Sequence, residues 1–408
     1  MSSKRDRVWA LADQGMQSAT NFATMVLAAR ALDVQSFAHF SLAYLAVLFA
    51  LSFHRTWVTQ PMNVLGAQRP DELPARARAL WRAHAMLIPA GGALCAAVAM
   101  FAFRDPWLLI ATVAYLALYF LQEMQRRYAY TLFRIREASL TSLVMGGAQL
   151  GGMAVLMFFG WSSGTNWMLA LLLAQLAGLA TGLLLVGLPR KVVAGSEMGA
   201  IEVLSAQLSH SRWIVASQLV FWASSQAYPF MIAGVDTAQA AAFNAGMSIL
   251  NAANVVRMTL ANYLPAHAGR VLAHEGADAL RAFARGTLFR IALAGVVIWP
   301  VVLLLGRPLV ELLYGGKFVG ADQVIEWVAL GIWASMFSVV LNAVALALDT
   351  TRNVFMSNAA GALFSCTVGA YLTLTYGLVG AIWANVAGYV IPAVMQATHM
   401  WPHLKTRR

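Results

Sequence analysis

The sequence predicts an all-α polytopic membrane protein of about twelve transmembrane helices arranged in two six-helix bundles. Three observations predict it. Composition is the first: 60% of the 408 residues are hydrophobic and only 11% are charged, with a mean hydropathy of +0.66, whereas a water-soluble domain carries about 25% charged residues. The second is that apolar runs recur along the whole chain, several long enough to cross ~30 Å of hydrocarbon. The third is a faint internal repeat that divides the chain in two.

The first span, centred near residue 22, is built of Ala, Met, Val and Leu with a polar stripe along it. The second contains the run Phe40 to Phe53, the third Ala85 to Phe103, and the fourth and fifth centre near residues 116 and 149. Met168 to Leu188 supplies the sixth, and spans seven and eight centre near 223 and 250. Ala292 to Leu305 forms the ninth, Ala329 to Leu348 the tenth, and the last two centre near 365 and 388. None of these runs alternates apolar and polar residues as a barrel strand does. Lipid offers the backbone no hydrogen-bonding partner, so helices are the structure left.

Basic residues orient the spans. Of the 28 Lys and Arg residues, all but Arg30, Arg104, Arg257, Arg307 and Lys317 fall on one side when the N-terminus is placed in the cytoplasm. That bias puts both termini inside and supports an even number of spans in a bacterial inner membrane. The net charge of +11 is therefore spent on topology, and its spread over separate loops argues against nucleic-acid binding. Cys95 and Cys366 both lie in apolar spans, so no disulfide framework or metal motif is expected. Met1 to Arg7 precedes a polar-studded helix without a cleavage site, and no signal peptide is expected.

Ala12-Asp13-Gln14 in the first span aligns with Ala216-Ser217-Gln218 in the seventh, and Asp33 and Phe40 align with Asp236 and Phe243 after a one-residue gap. Two parallel repeats of six helices follow. The bundles are expected over residues 1–191 and 212–408, joined by a cytoplasmic linker over 192–211 with a short interfacial helix around Gly199 to Leu208. A second amphipathic surface piece is expected over Glu72 to Arg82. The longest external connection is expected from Gly306 to Asp322.

Gln14, Gln17, Ser18, Asn21 and Thr24 recur at spacings of three and four, which places them on one face of the first helix. A polar stripe in lipid faces protein or water, so these residues either glue helices together or line a cavity. In the seventh helix Ser211, Gln218 and Ser225 repeat every seven residues near Trp222, a pattern that suits a sugar and also suits interhelical hydrogen bonds. Arg257 falls within the eighth span beside Asn251 and Asn254, where a guanidinium facing lipid costs a few kcal/mol. It therefore meets either a carboxylate such as Glu123 or an anionic substrate, which guanidinium grips bidentately. Asp13 and Arg30 bracket the polar stripe. Glu123 stands beside Arg126 and Arg127, as a local ion pair or, with Asp13, as a candidate for proton or sodium coupling.

No Gly-rich phosphate loop, His-Glu-x-x-His zinc pattern or Gly-x-Ser-x-Gly elbow is present. No catalytic residue, metal site or cofactor is expected. A membrane glycan polymerase would need a sizeable external loop, and the span map leaves none.

Several segments carry a family resemblance: Ala12-Asp13-Gln14 through Ser18, Asn21-Phe22 and Ala29-Arg30-Ala31-Leu32 to Phe37 and Phe40; Gln122-Glu123-Met124-Gln125-Arg126-Arg127-Tyr128 with Tyr130 and Phe133-Arg134; Arg212-Trp213; Leu313-Tyr314-Gly315 with Lys317-Phe318; and Tyr376-Gly377-Leu378-Val379-Gly380-Ala381. With these the chain resembles the multidrug/oligosaccharidyl-lipid/polysaccharide (MOP) flippase superfamily, and within it the Wzx-like polysaccharide flippases. The resemblance implies two six-helix bundles working by alternating access on a polyisoprenyl-pyrophosphate-linked glycan for polysaccharide or lipopolysaccharide (O-antigen) synthesis. It also implies that Arg30 and Arg257 occupy positions of cavity charge; Gln14, Ser18, Asn21, Gln218, Ser225 and Asn254 are the candidate polar lining that the residues themselves offer. The implied partners are the lipid-linked glycan and membrane lipid; the coupling ion, proton or sodium, and the need for a polymerase or other assembly protein stay open. The rival reading is a cation-coupled drug exporter of the same fold.

Overall fold

The computed structural model describes residues 4–68, 71–189, 198–348 and 350–404, and among them every regular element is a helix. The chain divides into two compact units, residues 1–218 and 219–408. In the first unit α1 is Lys4–Ala31 and α2 begins as Val34–His54, passes through a π-helical turn at Arg55–Thr59 and continues as Gln60–Gln68. α3 is Leu73–Ala102, α4 Pro106–Thr131, α5 Ile135–Phe158, α6 Gly164–Val186 and α7 Ala200–Ser225. The second unit takes in the end of α7 and a short helix, Tyr228–Ala233. An unbroken helical stretch, 237–314, follows, but Gly276 inside it has φ 83° and ψ −176°, which separates α8 (237–275) from α9 (277–314). α10 is Ala321–Ala347. Gly377, at φ 58° and ψ −131°, likewise separates α11 (351–376) from α12 (378–404). Twelve long helices result among the described residues, as the apolar runs predict. Among the described residues eight helical stretches are long and apolar enough to cross a membrane by length and composition, and one of them, Arg352–Met400, takes in both α11 and α12. The chain is a multi-pass membrane protein.

Helix starts are written locally. Asp33 accepts the amide of Ser36 to cap α2, and Asp236 accepts the amides of Ala238 and Gln239 to cap α8. Side-chain oxygens of this kind satisfy amides that the first turn leaves orphaned. Seven residues after each cap, Phe40 and Phe243 are fully buried. The repeat seen in the sequence is thus a repeat of the same capping and anchoring device in the second helix of each unit. Tyr314 and Phe318 meet edge to face at 5.5 Å, the Tyr314 hydroxyl donates to Ala245 O at 3.1 Å, and Gly315 turns the chain in the left-handed region. That is the physical content of the Leu313-Tyr314-Gly315 motif: it ends α9 against α8.

Several expected boundaries move. Gly306 to Tyr314 remains helical, so the longest expected external connection shrinks to the turn from Gly315 to Gly320. Glu72 to Arg82 is the start of continuous α3 and no separate surface piece. Within the expected linker, residues 192–197 lie outside the described residues, and from Ala200 the chain already belongs to α7, with Val203 and Leu204 buried against Val58, Met62, Leu73 and Leu80. Three hydrogen bonds hold the linker's ends to the first unit: Arg78 to Pro189 O at 2.9 Å, Arg82 to Met198 O at 2.8 Å, and the Trp57 indole to Leu204 O at 2.9 Å. Helix packing is close where side chains are absent. A Cβ on Gly146 of α5 would lie 2.9 Å from the Thr20 hydroxyl of α1, and one on Gly182 of α6 would lie 2.9 Å from Gln125 of α4.

Candidate functional site

The densest concentration of charge in the first unit joins α1, α2 and α4. On α4, the sequence Glu123-Met124-Gln125-Arg126-Arg127 sets two guanidinium groups three and four residues after a carboxylate, the spacing at which helix neighbours meet. Arg126 Nη2 donates to Glu123 Oε2 at 2.7 Å and Arg127 Nε to Oε1 at 2.9 Å. The π-helical turn of α2 begins at Arg55, whose Nε and Nη2 donate to Glu123 Oε1 and Oε2 at 2.9 and 3.3 Å. Within that turn the Gln60 amide reaches back to Arg55 O, an i→i+5 bond that inserts one extra residue and shifts the facing of the helix beyond it. From α1, Asp13 Oδ2 accepts from Arg126 Nη1 at 2.8 Å and from the Tyr130 hydroxyl at 2.5 Å.

Asp13, Glu123 and Arg126 are buried, while the side chains of Arg55 and Arg127 keep about 30% of their surface exposed (31% and 28%). Three guanidinium groups face two carboxylates, so the network carries one formal positive charge in excess. Buried charges persist only when paired and hydrogen-bonded, and here every ionic group has partners. The exception is a single oxygen: Asp13 Oδ1 is buried without a hydrogen-bond partner among the described residues, as is Gln17 Nε2 one turn on.

The polar stripe of α1 resolves into two adjacent rows instead of one face. Asp13, Thr20 and Thr24 are buried in the unit, and Gln149 of α5 donates to the Thr24 hydroxyl at 2.6 Å. Gln14 and Asn21 are exposed and Ser18 is half-buried. Asn21 Oδ1 accepts from the Tyr44 hydroxyl at 3.2 Å. Tyr44 stacks towards Tyr115 at 6.4 Å, and Tyr115 lies 5.4 Å from Tyr119, whose phenol neighbours Arg55. A row of buried phenols therefore links Asn21 to the charge network.

The remaining predicted residues are dispersed. Arg30 is exposed in the last turn of α1, where the helix dipole favours a cation. Gln218 is half-buried, and Ser225 is buried at the end of α7 with its hydroxyl on Phe221 O and its carbonyl accepting from Asn385 at 3.1 Å. Arg257 is half-buried on α8 and acts electrostatically on Tyr389. The side chains of Asn254, Asn262 and Trp213 lie outside the described residues. Glu123, the carboxylate suggested for Arg257, has both oxygens engaged by Arg55, Arg126 and Arg127. Sequence reasoning paired Glu123 with its helix neighbours but had no means of finding Arg55 or of joining Asp13 to the group.

No family model and no curated protein sequence matches the chain. Solved structures do. The fold is similar to that of the lipid II flippase MurJ in an inward closed conformation, at 12% identity over 97% of this chain and 87% of that one, with a TM-score of 0.72. It is similar also to an inward-facing multidrug-resistance MATE transporter of the MOP superfamily (13% identity, 98% of this chain and 100% of that one, TM-score 0.67) and to the Vibrio cholerae MATE transporter VcmN (16% identity, 98% and 99%, TM-score 0.54). The likeness is one of fold, and the fold is that of the MOP superfamily transporters.

Proposed function

We propose that this chain is an alternating-access transporter in the bacterial inner membrane, with both termini cytoplasmic, that flips a polyisoprenyl-pyrophosphate-linked oligosaccharide for polysaccharide or lipopolysaccharide assembly. The fold supports transport. The observation that carries the choice of an anionic cargo is the charge balance of the buried network, where three arginines outnumber two carboxylates and Arg55 and Arg127 remain partly open. A pyrophosphate-linked sugar cannot enter hydrocarbon unaided, so the protein supplies polar groups and positive charge while the lipid tail stays in the bilayer. Guanidinium suits that task because it stays charged and offers phosphate a bidentate fork. Arg257 and Arg30 are assigned to the head group, and Gln14, Ser18, Asn21, Gln218, Ser225 and Asn254 to the sugars. Drug export by the same fold is the second reading, favoured by one observation, the unpartnered oxygen of Asp13.

The test is an Arg257→Ala chain in its own host. Export of the glycan should cease while the protein stays abundant in the membrane, and lipid-linked glycan should accumulate on the cytoplasmic leaflet. Arg257→Lys retains part of the transport if charge alone matters and fails with Ala if the fork matters. Normal export by an abundant Arg257→Ala protein overturns the assignment. Loss of drug resistance with glycan export intact would replace the flippase by the exporter.

A further inference from the structure

Next to the charge network, His54 at the end of the first stretch of α2 and His84 on α3 face each other with Nε2 atoms 3.1 Å apart, both rings buried. The tautomers follow from the surroundings. His84 Nδ1 lies 2.8 Å from Leu80 O, and a carbonyl only accepts, so His84 carries its hydrogen on Nδ1 and presents a bare Nε2. His54 Nε2 must then be the donor across the pair, and neutral His54 is left with a bare Nδ1. That nitrogen is buried without a partner among the described residues. It is a fixed lone pair that faces no donor among the described residues.

We propose that the His54–His84 pair is a proton-binding site of the first unit, taking one proton at His54 Nδ1. With that proton His54 becomes an imidazolium whose Nε2–H is already delivered to His84, an arrangement that needs no rotation of either ring. Phe120 of α4 stacks on His54 at 4.4 Å, and Trp81 of α3 flanks His84 at 6.0 Å, so the pair is walled by aromatic surface. The charged groups that face His54 are Arg55 on its own helix and Glu123 and Arg127 on α4, with His84 the titratable group on α3. Burial opposes the added charge most, His84, Arg55 and Arg127 oppose it as well, and Glu123 alone favours it. Loading the proton raises the local excess from one positive charge to two and sets His54 against Arg55, the residue next to it in the chain. Arg55 and Arg127 are about equally exposed (31% and 28%), and of the two it is Arg55 that adjoins His54 in the chain. A proton at His54 and the Arg55–Glu123 bond are thereby coupled. Only the further step, that this proton drives the flipping of an anionic cargo, rests on the function proposed above.

Ring-nitrogen NMR of the full-length chain, labelled with nitrogen-15 histidine and held in lipid nanodiscs, tests the site without any substrate. At mildly alkaline pH the His54 signals should show a bare Nδ1 and a protonated Nε2, with His84 the reverse. On acidification His54 Nδ1 should gain a proton in a single step while His84 Nδ1 is unchanged. That step should vanish from the His54→Asn chain and move to a different pH in His84→Asn, with signals assigned by difference among the eight histidines. A His54 Nδ1 already protonated at alkaline pH overturns the proposal, as does a bare Nδ1 that gains no proton across the range. A titration step that survives His54→Asn overturns it too. The NMR result is independent of cargo: an intact step in a chain whose removal from its host leaves glycan export unchanged would refute the flippase and leave the proton site standing.

Discussion

Arg126 holds two carboxylates at once, Asp13 of α1 through one terminal nitrogen and Glu123 of its own helix through the other. Removing it leaves two buried negative charges, with Glu123 still served by Arg55 and Arg127 but Asp13 by Tyr130 alone. Breaking a buried pair from one side costs about 3–5 kcal/mol. Arg126→Ala should therefore lower the thermal unfolding temperature of the purified chain and its abundance in the membrane. Tyr130→Phe removes a single hydrogen bond to a charged group, worth about 1.5–3 kcal/mol, and should shift the same transition less. Equal stability of Arg126→Ala and the parent chain would mean that the network contributes charge and no cohesion. Glu123 differs from Asp13 in that three arginines reach it, so Arg127→Gln should cost less than Arg126→Ala in the same measurement.

At the scale of elements, α1 is a helix with two polar rows, and burial separates them. Cysteines introduced at Gln14 and Asn21 should react with a small polar thiol reagent, those at Thr20 and Thr24 should not, and Ser18 should be intermediate. The background for the experiment is Cys95→Ala with Cys366→Ala, of which Cys366 is the exposed one. Uniform labelling around the helix would remove the distinction between rows. The three-and-four spacing of polar residues was legible in the sequence, because helical period fixes which residues share a side. Which of two adjacent rows is covered was not legible, since that depends on Gln149 and Gly146 arriving from α5. The π-helical turn of α2 was likewise invisible, and it is the element that begins at Arg55 and so sets where the network gains its third guanidinium.

Over the whole molecule, large apolar side chains stand on the outside. Leu184, Phe158, Phe101 and Leu304 are each at least 75% exposed, which water would penalise and lipid does not. The distribution of Lys and Arg predicts the direction of insertion. Reporter fusions should place both termini and a site at Gly276 in the cytoplasm and a site at Gly377 on the opposite side. Gly276 and Gly377 reporting from the same side would break the order of the helices between them. Both glycines sit at positive φ where α8 meets α9 and α11 meets α12, so each reversal costs one residue, and the long stretches 237–314 and 351–404 read in the sequence as the expected pairs of spans.

The sequence by itself determined the helical class, the number and approximate centres of the spans and the repeated capping device. Each is a property of composition, period or local chemistry: lipid forces helices, apolar length sets spans, and Asp33 and Asp236 cap their helices through amides two or three residues away. Tertiary structure alone decided which polar groups work together. Asp13, Arg55 and Arg126 are separated by 42 to 113 positions, and so is the pairing of His54 with His84 across 30 beyond the reach of any spacing rule. Helical period fixes the azimuth of a residue on its own helix but not which helix will face it. Close packing contributes to that choice: Gly146 admits Thr20 of α1 against α5, and Gly182 admits Gln125 of α4 against α6.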